Sequence, residues 1–232
     1  MKLAIMQPYF FPYIGYFQLI NSVDKFIFYD DVNYIKGGWV NRNNILVNGN
    51  NFWITLQLKK ASPNKNINEI YVGNNKGKII KTIYQYYKKA PYFNHCIPII
   101  DLIFNNINSG MLLSSVAALT IKEVAKYLAI DVKFEFSSLV YENTKLLRKE
   151  DRLIKICKLN GAKTYINPIG GKSLYTKEIF KKNDIDLFFL KTLPIEYKQF
   201  KDKFVPNLSI IDVMMFNSIE KIREMLFDFE LV

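Results

Sequence analysis

The sequence predicts an α/β fold with a mostly parallel central sheet, flanking helices and some helical additions. Strand-like and helix-like segments alternate along most of the chain, in the order typical of parallel sheets. Near the N-terminus a strand, a Pro- and Gly-containing loop, a helix and a second strand follow one another within about 30 residues, which is the order of a βαβ unit. Half of the 232 residues are hydrophobic, enough for a sizeable core.

The first part of the chain contains the βαβ unit and a hairpin. Short apolar or alternating runs predict strands at residues 3–6, 25–29, 45–47, 52–58 and 67–72. Residues 13–20 place apolar side chains at helical spacing between the first two of these strands. Asn48-Gly49 is a pair that suits a tight hairpin turn.

From Lys76 onward the hydrophobic period is mostly helical. Ile79, Ile83 and Tyr87 fall on one face of the first of these helices, which Pro91 ends. Further helices are predicted at residues 92–105, 111–128, 146–159, 176–182, 209–216 and 219–227. Further strands are predicted at residues 131–136, 163–166 and 186–190.

No repeat or low-complexity linker divides the sequence. We therefore expect one domain over residues 1–232. Its sub-lobes would be a sheet with a hairpin at residues 1–75, a helical part at 76–130 and an α/β part at 131–232.

The charge of the chain is strongly positive and uneven. Its formal net charge is +11, and residues 1–100 hold 12 Lys and Arg against 4 Asp and Glu. This favours an anionic ligand such as a nucleotide or sugar phosphate, or an acidic carrier protein. The alternative is a compositional bias toward Lys, Ile and Asn. Nucleic acid is disfavoured, because only 4 Arg occur and no DNA- or RNA-binding motif is present.

Several classes of protein are excluded. No stretch approaches the ~18 apolar residues of a membrane span, and Gln7-Pro8 interrupts the N-terminal apolar run before it reaches signal-peptide length. We therefore expect a cytoplasmic protein with no membrane span. Cys96 and Cys157 form no CxxC pair, and His95 is the single histidine, so we expect neither a Cys/His zinc site nor a histidine-rich catalytic centre, and we assign no metal ligands.

The loop at residues 7–16 is rich in aromatic side chains. It lies where ligands of open α/β sheets bind, and the helix after it offers free N–H groups to a phosphate or carboxylate. The candidate substrate-binding residues here are Gln7, Tyr9, Tyr13 and Gly15. The alternative is an aromatic plug that packs the loop onto the core.

The segment Tyr13-Ile14-Gly15-Tyr16 resembles the His-x-Gly-His turn of nucleotidyltransferases. On this resemblance the N-terminal half is distantly nucleotidyltransferase-like, with a HUP or Rossmann-like arrangement. Tyr occupies both histidine positions, and a phenol with a pKa of about 10 stays neutral where an imidazole can carry charge. Nucleotidyl transfer is therefore disfavoured.

Polar residues also follow the second predicted strand. Asp30 and Asp31 are adjacent carboxylates that can take up a proton or accept hydrogen bonds from sugar hydroxyls, although alternation points one of them away from the site. Lys36 and Arg42 add groups for binding a phosphate, and Trp39 offers a flat face to a sugar ring or base. The alternative is a solvated loop whose Asp side chains cap a turn.

A third candidate loop follows the strand at residues 163–166. Its candidate binding residues are Asn167, Gly170, Gly171 and Lys172. Paired glycines between a strand and a helix allow a ligand to approach the backbone, and a lysine can meet an anion. A Walker P-loop is excluded because the Gly-x4-Gly spacing is missing. The alternative is a tight turn.

Together these segments resemble the WbqC-like family of bacterial O-antigen and surface-glycan biosynthesis. The resemblance rests on QPYFFPYIGYFQLI (7–20), YDDVNYIKGGWVNRNNI (29–45), INPIGGKSLY (166–175) with the segment up to residue 190, and LSIIDVMMFNS (208–218). It runs from the first strand nearly to the C-terminus. Asn33 and the Gly37-Gly38 pair depart from it, since more polar residues are expected at those positions.

The resemblance implies a cytoplasmic sugar-modifying protein, a transferase, of O-antigen, lipopolysaccharide or capsule biosynthesis. Our first hypothesis is that its substrate is a nucleotide-linked amino sugar. We expect a transferase that moves an acyl or aminoacyl group to the sugar amine from a thioester on an acidic acyl carrier protein or coenzyme A. Asp30 or Asp31 would be the base and Tyr16 or Tyr13 a hydrogen-bond donor to the reacting group. Lys36 and Arg42 would bind the diphosphate.

Two alternatives stay open at this point. One is ATP- or CTP-dependent nucleotidyl transfer, which keeps the chemistry of the nucleotidyltransferases. The other is a non-catalytic protein that binds sugar nucleotides or scaffolds the synthetic complex.

Overall fold

A central sheet carries the fold. A computed structural model describes residues 1–147, 149–200 and 203–232, and within these residues six strands form the sheet in the order β10-β9-β8-β1-β2-β7. These strands are β1 (Lys2–Met6), β2 (Lys25–Phe28), β7 (Lys133–Phe136), β8 (Thr164–Pro168), β9 (Asp186–Thr192) and β10 (Phe229–Leu231). Neighbouring strands run parallel except β10, which pairs antiparallel with β9.

Two smaller sheets lie outside the central one. The strands β3 (Arg42–Val47) and β4 (Asn50–Thr55) form the hairpin predicted around Asn48-Gly49. The short strands β5 (Leu58–Lys59) and β6 (Tyr71–Val72) pair antiparallel with each other.

Helices cover both faces of the central sheet. They are α1 (Ile14–Asn21), α2 (Lys76–Tyr87), α3 (Phe93–Asn105), α4 (Leu113–Tyr127), α5 (Ser137–Val140), α6 (Lys149–Leu159), α7 (Lys177–Lys181), α8 (Ile210–Phe216) and α9 (Ile219–Met225). Short 3-10 turns lie at Ile67–Glu69, Glu142–Thr144 and Ile169–Gly171. Among the described residues, no helix is long and apolar enough to cross a membrane.

The alternation along β1 separates two apolar cores. Ala4 points into the larger core, which contains side chains of α1, α2, α3, α4 and α8. Leu3 and Ile5 point into the smaller core, where they join side chains of α6 and α7. A strand buried on both faces is typical of a parallel sheet with helices on each side. The predicted α/β class, with a mostly parallel sheet and flanking helices, is thereby confirmed.

Local chemistry explains where the elements differ from the prediction. The strand predicted at 67–72 begins as a 3-10 turn, because Asn66 and Glu69 form a reciprocal capping box that favours a helical turn. The strand β10 was not predicted, since it is three residues long and follows directly on a helix. The helix predicted at 146–159 begins at Lys149 in the structure, and Arg148 lies outside the described residues.

The strand order places β1 at the point where the chain reverses direction across the sheet. From β1 the chain passes to β2 on one side, and it later returns to β8 on the other side. In open α/β sheets the loops diverge at such a point and leave a crevice beyond the carboxyl ends of the strands. The loop after β1 and the start of α1 lie at this edge.

Candidate binding cleft

A two-lobed cleft lies at the carboxyl edge of the sheet. The larger lobe, of about 620 Å³, lies between the start of α1 and the loop after β9. The smaller lobe, of about 360 Å³, lies between the loops that follow β1 and precede β3. Tyr13 and Asn207 line both lobes, so the lobes adjoin at these two side chains. Each lobe has the volume of a small-molecule site.

Aromatic and amide side chains line the smaller lobe, whereas aliphatic side chains and prolines form about half of the lining of the larger lobe. The smaller lobe is lined by Tyr9, Tyr13, Trp39, Asn43 and Asn207. The larger lobe includes Tyr13, Ile14, Thr192, Tyr197, Phe204 and Asn207. Among the described lining residues, Glu196 is the one charged side chain. The walls are suited to the faces and hydroxyls of a ring-shaped ligand.

The loop between β1 and α1 is fixed by buried polar groups. The Asn43 amide donates hydrogen bonds to the carbonyl oxygens of Phe10 and Phe11, at 3.2 and 2.8 Å. Ser209 Oγ also donates to the Phe11 carbonyl, at 2.7 Å, and Thr120 Oγ1 accepts from the Phe11 N–H at 3.1 Å. Phe11 has a φ of 42°, a left-handed conformation that non-glycine residues adopt at an energetic cost. These bonds hold the loop in one shape.

Tyr13 is placed at the junction of the lobes by a close contact with Gly15. A Cβ at Gly15 would lie 2.9 Å from Tyr13 Cζ and 2.5 Å from Thr192 Oγ1. The absence of a side chain at position 15 therefore lets the phenol ring lie directly against the first turn of α1. Tyr13 is also the residue before α1, and its side chain makes no capping hydrogen bond, so no Tyr13 side-chain oxygen occupies the N–H groups of the first turn.

Tyr16 lies in the core rather than on the cleft wall. Its side chain is 2% exposed, and its hydroxyl donates a 2.7 Å hydrogen bond to the carbonyl oxygen of Gln7. Burial, with the nearby Tyr9, raises the Tyr16 pKa well above its usual value. This hydrogen bond ties the start of the loop to α1. The catalytic role of Tyr16 stays a prediction.

Arg42 supports the loop that presents Trp39. Its guanidinium lies 4.0 Å from the centre of the Trp53 ring and donates hydrogen bonds to the carbonyl oxygens of Gly37 and Gly38. The Trp39 ring, 41% exposed, lies 5.3 Å from Trp53 and forms part of the smaller lobe. Arg42 thus supports the loop that carries Trp39. Its contact with a phosphate stays a prediction.

Asp30 and Asp31 are both buried and hydrogen-bonded. Asp30 accepts from the Ser138 N–H and hydroxyl at 3.1 and 2.8 Å, and from Ser137 at 3.2 Å. Asp31 forms an ion pair with Arg152, with both side chains almost fully buried, and also accepts from Ser137. Neither carboxylate lines a lobe. These bonds join the end of β2 to α5 and α6.

The remaining predicted residues lie around the same edge of the sheet but outside the two lobes. Asn167 is buried at the end of β8, and a Cβ at Gly171 would overlap its amide, which explains that glycine. Gly170, Lys172 and Lys36 are exposed. Their substrate contacts stay predictions. In the described part of the chain, no three Asp, Glu, His or Cys side chains are arranged to hold a metal ion.

Sequence reasoning missed the residues of the cleft that follow β9. Tyr197 and Asn207 belong to an irregular stretch between β9 and α8 that carries no periodicity. Asp212 lies behind this stretch, fully buried, and accepts a 2.7 Å hydrogen bond from Tyr197. One signal was available: Asp212 is the single charged residue of the apolar segment Ile210–Phe216, and a buried carboxylate requires partners.

Comparison with known proteins identifies relatives over nearly the whole chain. The sequence model of the WbqC-like protein family matches residues 7–224. A Mycobacterium tuberculosis protein, "Uncharacterized protein Rv1507c", is 29% identical over 217 residues, which cover 92% of each chain. No solved structure matches the chain.

The buried ion pair gives a prediction for stability. Replacing Arg152→Met leaves Asp31 buried without its counter-charge, so the free energy of unfolding should fall by about 3–5 kcal/mol. Lys221→Met, which removes an exposed ion pair with Glu224, should leave it almost unchanged. Urea denaturation at neutral pH compares the two variants. Equal effects would contradict the structural role of Arg152.

The contact at Gly15 gives a second prediction. Gly15 and Gly77 are both the second residue of a helix, but a Cβ at Gly77 would meet no atom within 4 Å. Gly77→Ala should stabilise the protein by about 0.5–1 kcal/mol through helix propensity. Gly15→Ala should instead destabilise it by about 1–3 kcal/mol, because Tyr13 and Thr192 must move. Thermal denaturation measures both; a stabilised Gly15→Ala variant would show that Tyr13 is not held by this contact.

Proposed function

The chain belongs to the WbqC-like protein family, and from this premise we propose that it is a transferase that modifies a nucleotide-linked amino sugar. In the proposed reaction an acyl or aminoacyl group moves from a thioester to the sugar amine, as a step in bacterial surface-glycan biosynthesis. The thioester would be carried by an acidic carrier protein or by coenzyme A.

The observation that carries the proposal is the junction between the two lobes. Group transfer requires two reactants to approach to about 3–3.5 Å in a fixed orientation. The larger and smaller lobes adjoin at Tyr13 and Asn207, so two ligands bound separately would meet there. The fixed loop after β1 supports the same interpretation, because it orders Tyr13 before any ligand binds.

The lobes differ in ways that assign a reactant to each. The larger lobe adjoins the start of α1, where free N–H groups and the helix dipole favour the diphosphate of the sugar nucleotide. The sugar amine would then extend to Tyr13. The smaller lobe presents the faces of Tyr9 and Trp39 and would take the donor group.

The chemistry requires few groups from the protein. The amine nitrogen attacks the thioester carbonyl, the C–N bond forms, the C–S bond breaks and the thiolate leaves, while a base takes one proton from the amine. Neutral donors at the junction, the Tyr13 hydroxyl and the Asn207 amide, are suited to the oxygen that becomes negative. The base role proposed for Asp30 or Asp31 stays a prediction, and their existing hydrogen bonds favour a structural role instead.

Nucleotidyl transfer is less well supported by the same geometry. Of the two tyrosines at the histidine positions, Tyr16 is enclosed in the core, and among the described lining residues no Lys, Arg or His faces the cleft. Nucleotidyl transfer needs cations that stabilise the charge of the transferring phosphoryl group in the transition state, whereas a diphosphate that does not react needs only binding, which N–H groups at a helix start can supply.

Turnover of an amino sugar tests the proposal. Purified protein, incubated with a UDP- or dTDP-linked amino sugar and an acyl thioester, should give a product whose mass shows one added acyl group. Trp39→Ala should raise the KM for the donor about tenfold, since aromatic contacts contribute roughly this much, and leave the KM for the sugar nucleotide nearly unchanged.

The matched control is Tyr71→Ala, which removes another aromatic side chain of similar exposure outside both lobes. It should change neither constant. A wild-type protein that binds the sugar nucleotide but forms no product with any acyl or aminoacyl donor would contradict the proposed function. Equal effects of Trp39→Ala on both constants would contradict the assignment of the lobes.

A further inference from the structure

A buried carboxylate lies directly behind the larger lobe. Asp212 is fully buried and accepts hydrogen bonds from Tyr87 at 2.7 Å, Tyr197 at 2.7 Å and the Gln199 amide at 2.8 Å. Among the described residues no Lys, Arg or His forms an ion pair with it. The carboxylate is therefore held by neutral donors from α2 and from the loop after β9.

The two phenols on this carboxylate differ in their surroundings. Tyr87 is fully buried, and its oxygen also accepts the N–H of Leu46 at 2.7 Å, so both of its hydrogen-bonding functions are used inside the protein. Tyr197 donates to the other carboxylate oxygen and lines the larger lobe. A phenol that donates to a carboxylate keeps lone pairs on its oxygen, which can accept a hydrogen bond from a ligand that reaches it.

From this contrast we infer that Tyr197 and Asp212 together take the proton that the sugar amine loses in the larger lobe. This inference rests on the proposed function. As the nitrogen bonds to the thioester carbonyl, its proton passes to the Tyr197 oxygen, and the proton of Tyr197 passes to Asp212 Oδ1. Asp212 ends as a neutral carboxylic acid and later returns the proton, through Tyr197, to the thiolate or to solvent.

The surroundings of Asp212 favour this exchange. Burial raises the pKa of the carboxyl group, against the opposing effect of its three hydrogen-bond donors, so proton uptake at this position is easier than at an exposed aspartate. Burial and the charge of Asp212 raise the pKa of Tyr197 far above its usual value, so Tyr197 does not act as a free phenolate. It passes a proton on while it remains neutral.

A purely structural role is the rival explanation. Gln199 binds both the N–H and the carbonyl oxygen of Val205, at 2.9 and 3.2 Å, and so fixes the loop that carries Tyr197. Asp212 would then serve only to anchor this loop. The two explanations differ because Tyr87 and Tyr197 each donate one hydrogen bond to Asp212, whereas of these two phenols only Tyr197 lines the lobe and can pass a proton from a ligand.

Conservative variants separate the two explanations. Tyr197→Phe should lower kcat about 100-fold or more, the usual contribution of a general base, with the KM for the sugar nucleotide within about threefold of wild type. Tyr87→Phe removes the matched hydroxyl on the same carboxylate and should keep kcat within about tenfold, because that hydroxyl does not reach the cleft.

The pH profile gives an independent readout. On the acid side of the pH profile, kcat/KM should fall through two titrations, one of the substrate amine and one of Asp212. The Asp212→Asn variant should lose the titration of Asp212 and keep that of the amine. Variant folding is checked by circular dichroism and by a thermal shift with UDP or dTDP.

Two outcomes would overturn the inference. Tyr197→Phe with nearly full kcat would show that the pair takes no proton, while the wild-type turnover would keep the proposed function intact. A loss of kcat in Tyr87→Phe equal to that in Tyr197→Phe would assign the pair to a structural role, since the two phenols differ only in access to the lobe. If the wild-type protein gives no product with any donor, the proposed function fails first, and this inference fails with it.

Discussion

The shape of the loop after β1 is the constraint on which the cleft depends. The loop holds Phe11 in a left-handed conformation, and it does so because Asn43, Thr120 and Ser209 bind its backbone. These three side chains come from β3, α4 and the residue before α8, which are far apart in the sequence. The shape of the loop therefore depends on contacts between distant parts of the larger core. Tyr13 lies at the end of this loop and lines both lobes, so the shape of both lobes depends on the same hydrogen bonds.

The positive charge that the composition shows does not lie along the described walls of the cleft. The chain carries a net charge of +11, yet the described lining of the cleft contains Glu196 as its one charged side chain. Arg42, which composition and position indicate as a phosphate ligand, instead lies against Trp53 and the Gly37-Gly38 carbonyls. On the proposed function, the excess of lysine would attract the anionic ligand at a distance, while apolar and aromatic faces and neutral hydrogen bonds would determine what fits in the cleft.

Periodicity was sufficient to predict the fold but only part of the site. The parallel sheet follows from apolar runs that alternate with helical patterns, and the loop at residues 7–16 follows from its place after the first strand. Tyr197 and Asn207 lie in a stretch with no repeating pattern, so their meeting with Tyr13 depends on tertiary packing alone. Arg152 also escaped prediction, because its partner Asp31 lies 121 residues away in the sequence.

Two of the buried carboxylates, Asp31 and Asp212, show that the type of a residue does not by itself assign its role. Asp31 faces the Arg152 guanidinium, which is 3% exposed, so a proton on Asp31 would leave a buried cation without its counter-charge. Asp212 faces phenols and an amide, so a proton there leaves no uncompensated charge and costs mainly one rearranged hydrogen bond. In the sequence, Asp31 lies in a polar segment, which suggests a catalytic residue. Asp212 lies in an apolar helix, which suggests a structural residue. The ion-pair partner of Asp31 and the hydrogen-bond partners of Asp212 favour the opposite roles. A group that exchanges protons needs surroundings that tolerate both of its charge states.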